Sequence, residues 1–209
     1  MNQFLYTTAA IALLIAGGSG VQAQSASSVT RSASSVSNSE VSLLNQIGSV
    51  EVERAILLSK LRTDASMIQE LDRQYVSLLG QLKQLQPRRY QALVASAAQT
   101  ALSQKLGELE VERAIELTRF RADTPVIERF DRQLLSLMAR LKELQPKQYR
   151  SIATSATQRT LEAKIAALQT VYRQEDQRLI ASAPSQRALQ AQISALNQRL
   201  AEIRKSVQF

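Results

Sequence analysis

The chain has 209 residues, 44% of them apolar and only 4% aromatic, and carries a net charge of +8 with neither Cys nor His. These two absences exclude disulfides, thiol catalysis and thiolate metal sites, and remove the commonest general base and transition-metal ligand. Ala, Leu, Gln, Arg, Glu and Ser dominate at a mean hydropathy of −0.16, a mix that favours helix throughout. The basic balance points to an anionic partner or surface, although many exported helical proteins are simply basic.

Residues 4–16 read FLYTTAAIALLIA, an apolar run of signal-peptide length and too short for a membrane span. Three glycines follow, then Val21-Gln22-Ala23, so residues 1–23 are expected to be a signal peptide cleaved after Ala23. An uncleaved anchor is the alternative, because no Lys or Arg precedes the run. Residues 24–38 are Ser-rich, with SASSV twice, and are expected to be a flexible linker. Ser37 and Glu40 have capping-box spacing, so the first helix should start near Asn38.

The folded part is built on internal self-similarity. The hexapeptide EVERAI starts at Glu51 and again at Glu110, an offset of 59. Asp72-Arg73-Gln74 recurs as Asp131-Arg132-Gln133, Leu85-Gln86-Pro87 as Leu144-Gln145-Pro146, and Gly48 as Gly107. A diverged third copy continues the register, with Pro184, Gln192, Leu196 and Leu200 matching Pro125, Gln133, Leu137 and Leu141. Repeat 1 is placed at 39–101, repeat 2 at 102–160, and a shorter repeat 3 at 161–209.

The second half of each copy has strict 3-4 apolar spacing. It runs Ile68, Leu71, Tyr75, Leu78, Leu82, Leu85 in the first copy and Ile127, Phe130, Leu134, Leu137, Leu141, Leu144 in the second. This predicts the heptad seam of a coiled coil. Asp64-Ala65-Ser66 and Asp123-Thr124-Pro125 punctuate the middle of the first two copies, with Pro125 at a first helical position and Thr124 as its cap. Gln86-Pro87 and Gln145-Pro146 mark the opposite turns. The expected fold class is therefore all-α: tandem antiparallel coiled-coil hairpins, about three copies of a 59-residue unit, in an elongated bundle or array. Whether 88–121 forms one helix or breaks near Gln99–Ala101 stays open.

Folding each copy at its central turn brings Arg54 near Asp72 and Arg113 near Asp131, which we read as register-setting ion pairs; two independently solvated charges are the alternative. Glu108, Glu110, Glu112 and Glu116, echoed by Glu51 and Glu53, are read as a solvated face, since no His accompanies them and Glu110 and Glu112 diverge on a helix. No nucleophile, P-loop or dinucleotide motif is present. No catalytic residue, metal ligand or cofactor is assigned, and the chain is not expected to be an enzyme. Lys83, Arg88, Arg89, Arg140, Lys142, Lys147, Arg150, Arg199, Arg204 and Lys205 collect near the Gln-Pro turns and the C-terminal end, as a candidate surface for an anionic partner. Complementing helix dipoles is the other reading, which leaves Arg88 and Arg89 beyond the helix end unaccounted for.

The segment RADTPVIERFDRQLLSLMARL (121–141) resembles the coiled-coil hairpin of polysaccharide co-polymerases, where a proline turn precedes a heptad helix. That likeness covers this segment alone. In being basic and coiled-coil the chain is also similar to Skp-type periplasmic chaperones, but it lacks their strand-like segments. The expectation is an exported scaffold or adaptor of the periplasm or cell envelope, or a secreted one. Its partners would be proteins or a second copy bound through the heptad seams, or anionic polysaccharide or cell wall. Nucleic acid is not an expected partner, and no membrane span is expected after signal cleavage. A holdase for exported proteins is the alternative.

Overall fold

A computed structural model describes residues 37–63, 65–176 and 184–207. The leader and almost all of the linker expected at 1–38 lie outside these residues. Six helices account for the described chain: α1 (Asn38–Leu58), α2 (Ser66–Leu85), α3 (Tyr90–Glu116), α4 (Pro125–Leu144), α5 (Tyr149–Asp176) and α6 (Pro184–Val207). No strand occurs among the described residues.

Local chemistry sets the helix ends. Ser37 Oγ accepts the amide of Glu40 at 3.3 Å and starts α1 at Asn38, as the capping-box spacing predicts. Pro125 opens α4, where its missing N–H costs nothing. Thr124 precedes it, but its hydroxyl donates back to Arg121 O at 2.9 Å instead of capping the helix. Gln86 and Gln145 leave helical geometry at φ −134° and −137°, ahead of the prolines that stop α2 and α4.

Residues 90–116 form one unbroken helix of 27 residues. The small residues near Gln99–Ala101 mark a close approach to α1, not a break. A Cβ on Gly48 would lie 2.8 Å from Ala101 Cβ and 3.2 Å from the Ala97 carbonyl oxygen. Fifty-nine residues on, a Cβ on Gly107 would lie 2.9 Å from Thr160 Cβ and 3.2 Å from Ala156 O. Glycine is retained inside α1 and α3, despite a cost of about 1 kcal/mol in helix propensity, because helix backbones meet there.

α1, α3 and α5 pack in succession, while α2, α4 and α6 lie against them with their own Cα traces more than 8 Å apart. Along the α1–α3 contact the numbering rises on both sides, from Leu44 beside Leu93 to Ile56 beside Glu108, so these helices run parallel. α1 and α2 run antiparallel: Glu40 meets Gln86, Glu51 meets Tyr75 and Arg54 meets Asp72, all in one register. α4 crosses back onto α1, where Arg140 meets Glu51 and Ser136 Oγ donates to Ala55 O.

This crossing changes the picture of the core. One cluster draws Ala55 from α1, Leu102, Leu106 and Leu109 from α3, Phe130, Leu137 and Leu141 from α4, and Ala153 from α5. A second joins Val111 and Ala114 of α3 to Leu161, Ile165 and Leu168 of α5 and Leu196, Leu200 and Ile203 of α6. Ile68, Leu71, Leu82, Ile127, Phe130, Leu137 and Leu141 are buried, and Tyr75, Leu78, Leu134 and Leu144 half-buried. Leu85 departs from the expected seam: in the last turn of α2 it is 51% exposed.

Candidate functional site

The recurrent hexapeptide sits where each odd-numbered helix is held from two sides. On its own side, Arg54 Nε donates to Asp72 Oδ1 at 2.6 Å, and Arg113 Nε to Asp131 Oδ1 at 2.6 Å. Both pairs are half-open to solvent, so each contributes about 0–1 kcal/mol.

The other side corrects two readings. Glu51 and Glu110 are not on a solvated face: their side chains are 2% and 16% exposed. Nor are Arg140 and Arg199 part of an open basic surface. Arg140 of α4 grips Glu51 of α1 with both prongs, Nε to Oε2 at 2.9 Å and Nη2 to Oε1 at 2.8 Å, and spends Nη1 on Glu143 at 2.7 Å. Arg199 of α6 repeats this on Glu110 of α3 at 3.0 and 2.8 Å, with Glu202 at 3.1 Å. Bidentate forks of this kind are the strong form of charge-assisted hydrogen bond.

The titration behaviour follows from this geometry. The hydrogen bond to Glu51 raises the affinity of the Arg140 guanidinium for its proton, against the opposing effect of burial. Burial works against the charge on Arg199, and the bonds to Glu110 and Glu202 more than offset it. Burial, and then the Glu51 carboxylate that its hydroxyl bonds, push the Tyr75 phenol well above the ordinary tyrosine range.

A sequence signal for these grips exists. Glu51 and Arg140 each recur at an offset of 59, and the pattern stops at the outer copies. Gln81 stands on α2 where Arg140 stands on α4, and Gln169 stands on α5 where Glu110 stands on α3. Two in-register carboxylates and two in-register arginines, each neutral where no neighbour faces it, mark a contact between copies.

The remaining cations form the basic end. α2, α4 and α6 all finish at the end where α1, α3 and α5 begin, as the antiparallel registers require. The segments 83–91, 140–150 and 199–207 carry three, three and two net positive charges, so the rest of the sequence sums to zero. Lys83, Arg88, Arg89, Lys142, Lys147, Arg150 and Lys205 are exposed. Arg204 is shared with Glu162 at 2.8 Å. The one acid at the start of α1, Glu40, is buried and accepts from Gln86 Nε2 at 3.2 Å. Lys83 lies 5.8 Å from the Tyr90 ring centroid, and its counterpart Lys142 lies 5.9 Å from that of Tyr149. Arg150 reaches the Tyr149 ring at 5.8 Å and donates to its hydroxyl at 3.1 Å.

A groove of about 700 Å³ between α1 and α2 is lined by residues such as Asn38, Val41, Ser42, Asn45, Gln74 and Ser77, none of which titrates. Among the described residues no three acidic, His or Cys side chains converge as metal ligands. Nor, among them, is any helix long and apolar enough to cross a membrane. No family model, curated protein or solved structure matches the chain.

Proposed function

We propose that this is an exported, non-catalytic scaffold or adaptor of the cell envelope, built as a tandem array of about three antiparallel coiled-coil hairpins. The observation that carries the reading is the Glu51–Arg140 grip and its repetition as Glu110–Arg199. Its strongest side-chain chemistry joins one copy to the next, which is what a relay of rigid modules needs. A chain lacking both His and Cys, with its paired carboxylates committed to arginines, offers little to a reaction. Partners would bind along exposed helix faces or at the basic end.

The test is co-sedimentation of the protein with purified cell-wall sacculi at low and high salt, beside a variant with Arg88, Arg89, Lys147 and Arg150 changed to Glu. Salt-sensitive binding that the variant loses supports the reading; no binding at any salt removes the envelope polymer from it.

A holdase for exported proteins is the second reading. Val76 on α2 and Leu135 on α4 favour it, standing 59 residues apart and 67% and 70% exposed. It requires suppression of client aggregation at low stoichiometry, lost when both residues become Ser.

A further inference from the structure

The basic end is stepped, and the step defines what it can hold. Glu51 faces Tyr75 on α2 and Arg140 on α4. The counterpart of Tyr75 on α4 is Leu134, six residues from Arg140, so α4 is displaced along the bundle by about 9 Å at 1.5 Å per residue. The Cα traces of α2 and α4 stay more than 8 Å apart, and a lateral separation of about 10 Å is that of neighbouring helices. Successive clusters therefore stand roughly 15 Å apart along a diagonal. The first step presents Lys83, Arg88 and Arg89, the second Lys142, Lys147 and Arg150, and the third Lys205 with Arg204.

Helix dipoles explain the cations inside the last turns. They do not explain Arg88, Arg89, Lys147 and Arg150, which lie beyond the ends of α2 and α4. The first three of these and Lys83, Lys142 and Lys205 have no carboxylate partner among the described residues. The rings of Tyr90 and Tyr149 hold the lysines of the first two steps in place.

We propose that this staircase binds an extended anionic polysaccharide carrying about one carboxylate per sugar, laid across all three steps. The proposal rests on the envelope-scaffold reading above and names its polymer. Three cations on each of the first two steps amount to one charge every ~5 Å, and the third step, where Glu162 shares Arg204, is sparser, against one every ~1.7 Å of duplex DNA. A sparsely charged chain matches that density, and a polyphosphate or nucleic acid does not. Arg140 and Arg199 take no part, since Glu51 and Glu110 hold them.

The experiment titrates the full-length protein with size-fractionated polygalacturonate, and with polyphosphate and duplex DNA at equal charge concentration, at several salt concentrations. Affinity for polygalacturonate should climb with chain length until the chain spans about 30 Å, two steps, and then level off. The pairs R88Q/R89Q, K147Q/R150Q and R204Q/K205Q should each lower affinity about tenfold and flatten the salt dependence. R88K/R89K should retain binding, and circular dichroism should show all variants equally helical. Oligomers shorter than one step binding as tightly as long chains would refute the staircase. Tighter binding of polyphosphate or DNA overturns the charge-density match. No binding of long polygalacturonate at low salt overturns the proposal entirely; sacculus co-sedimentation retained in that case leaves the scaffold reading standing with another envelope polymer, and its loss removes the envelope polymer from that reading as well.

Discussion

Arg140→Met should destabilise the protein more than Glu51→Gln, although both break the same pair. Arg140→Met strips two charge-assisted bonds from a carboxylate that is 2% exposed and leaves it only the Tyr75 hydroxyl. Breaking a buried pair in this way costs about 3–5 kcal/mol. Glu51→Gln keeps a carbonyl oxygen to accept one Arg140 N–H. Arg140 also keeps Glu143 at 2.7 Å, and its side chain is already 25% exposed. That loss should be about 1–2 kcal/mol. Replacing both, Glu51→Leu with Arg140→Met, removes the orphaned charge and should recover most of the Arg140→Met loss. In the second copy, Arg199→Met should cost less than Arg140→Met, because the Glu110 side chain is already 16% exposed and water can solvate the carboxylate left behind. The assay is urea unfolding followed by circular dichroism, comparing midpoints at constant slope. Arg140→Met proving no costlier than Glu51→Gln, or the double replacement no better than Arg140→Met, would refute the claim that the buried carboxylate sets the energetics.

Three further outcomes are expected. Gly48→Ala and Gly107→Ala should each lower stability by about 1–3 kcal/mol, because the new methyl meets a neighbouring helix. Gly80→Ala, with nothing within 4 Å, should gain up to about 1 kcal/mol; thermal melts of the three separate packing from propensity. The Tyr75 phenol is raised in the folded state, so its contribution is complete below the unfolded tyrosine value near ~10. It is lost as pH rises from there through the folded value, because the unfolded chain gives up its proton first. Tyr75→Phe should flatten the alkaline limb of the stability profile and remove the last tyrosine to ionise in an ultraviolet titration. Deleting residues 86–144, one full 59-residue period, should leave a folded helical protein of lower stability in which Arg199 grips Glu51 and Gly48 meets Thr160. Deleting 86–115 should abolish folding, and equal circular dichroism and melting of the two deletions would count against the periodic reading.

The sequence made the helices legible because their signals are local. Ser37 with Glu40, Pro125, and the Gln-Pro pairs act within one turn of the chain, and each marks a helix end in the structure. The Arg54–Asp72 and Arg113–Asp131 contacts were legible too, since folding a chain about one turn is nearly a one-parameter operation. What escaped was every contact that crosses from one copy to the next. Small residues near Gln99–Ala101 look the same in a broken helix and in a helix crossed closely by another; Gly48 one layer away decides it. Glu51 and Arg140 are 89 residues apart, so no spacing rule joins them, and each alone looks like an ordinary solvated charge. Leu85 shows the limit of spacing alone: the 3-4 pattern continues to the last residue of α2, where the side chain is nonetheless 51% exposed.

Why EVERAI changed least between the first two copies follows from these contacts. Glu51 takes the fork from the next copy, Arg54 takes the aspartate of its own, and Ala55 offers its carbonyl to Ser136 at the crossing. Three partners on two neighbouring helices meet one six-residue stretch, so changing Glu51 disturbs the contact to α4 and changing Arg54 the contact to α2. The third copy carries QTVYRQ at 169–174. Gln169 replaces the glutamate, and Tyr172 and Gln190 replace the Arg–Asp pair. Ala166 stands where Gly48 and Gly107 admit the next helix. On α2, Gln81 replaces the gripping arginine. A charge left on an outward face would gain nothing from solvent-separated partners, and a glycine there would weaken its helix by about 1 kcal/mol for no contact. Gln169, Ala166 and Gln81 are thus the substitutions expected where an interface ends, and the two inner interfaces keep both the grip and the glycine; the Tyr172 and Gln190 replacement lies within the third copy and has no such explanation.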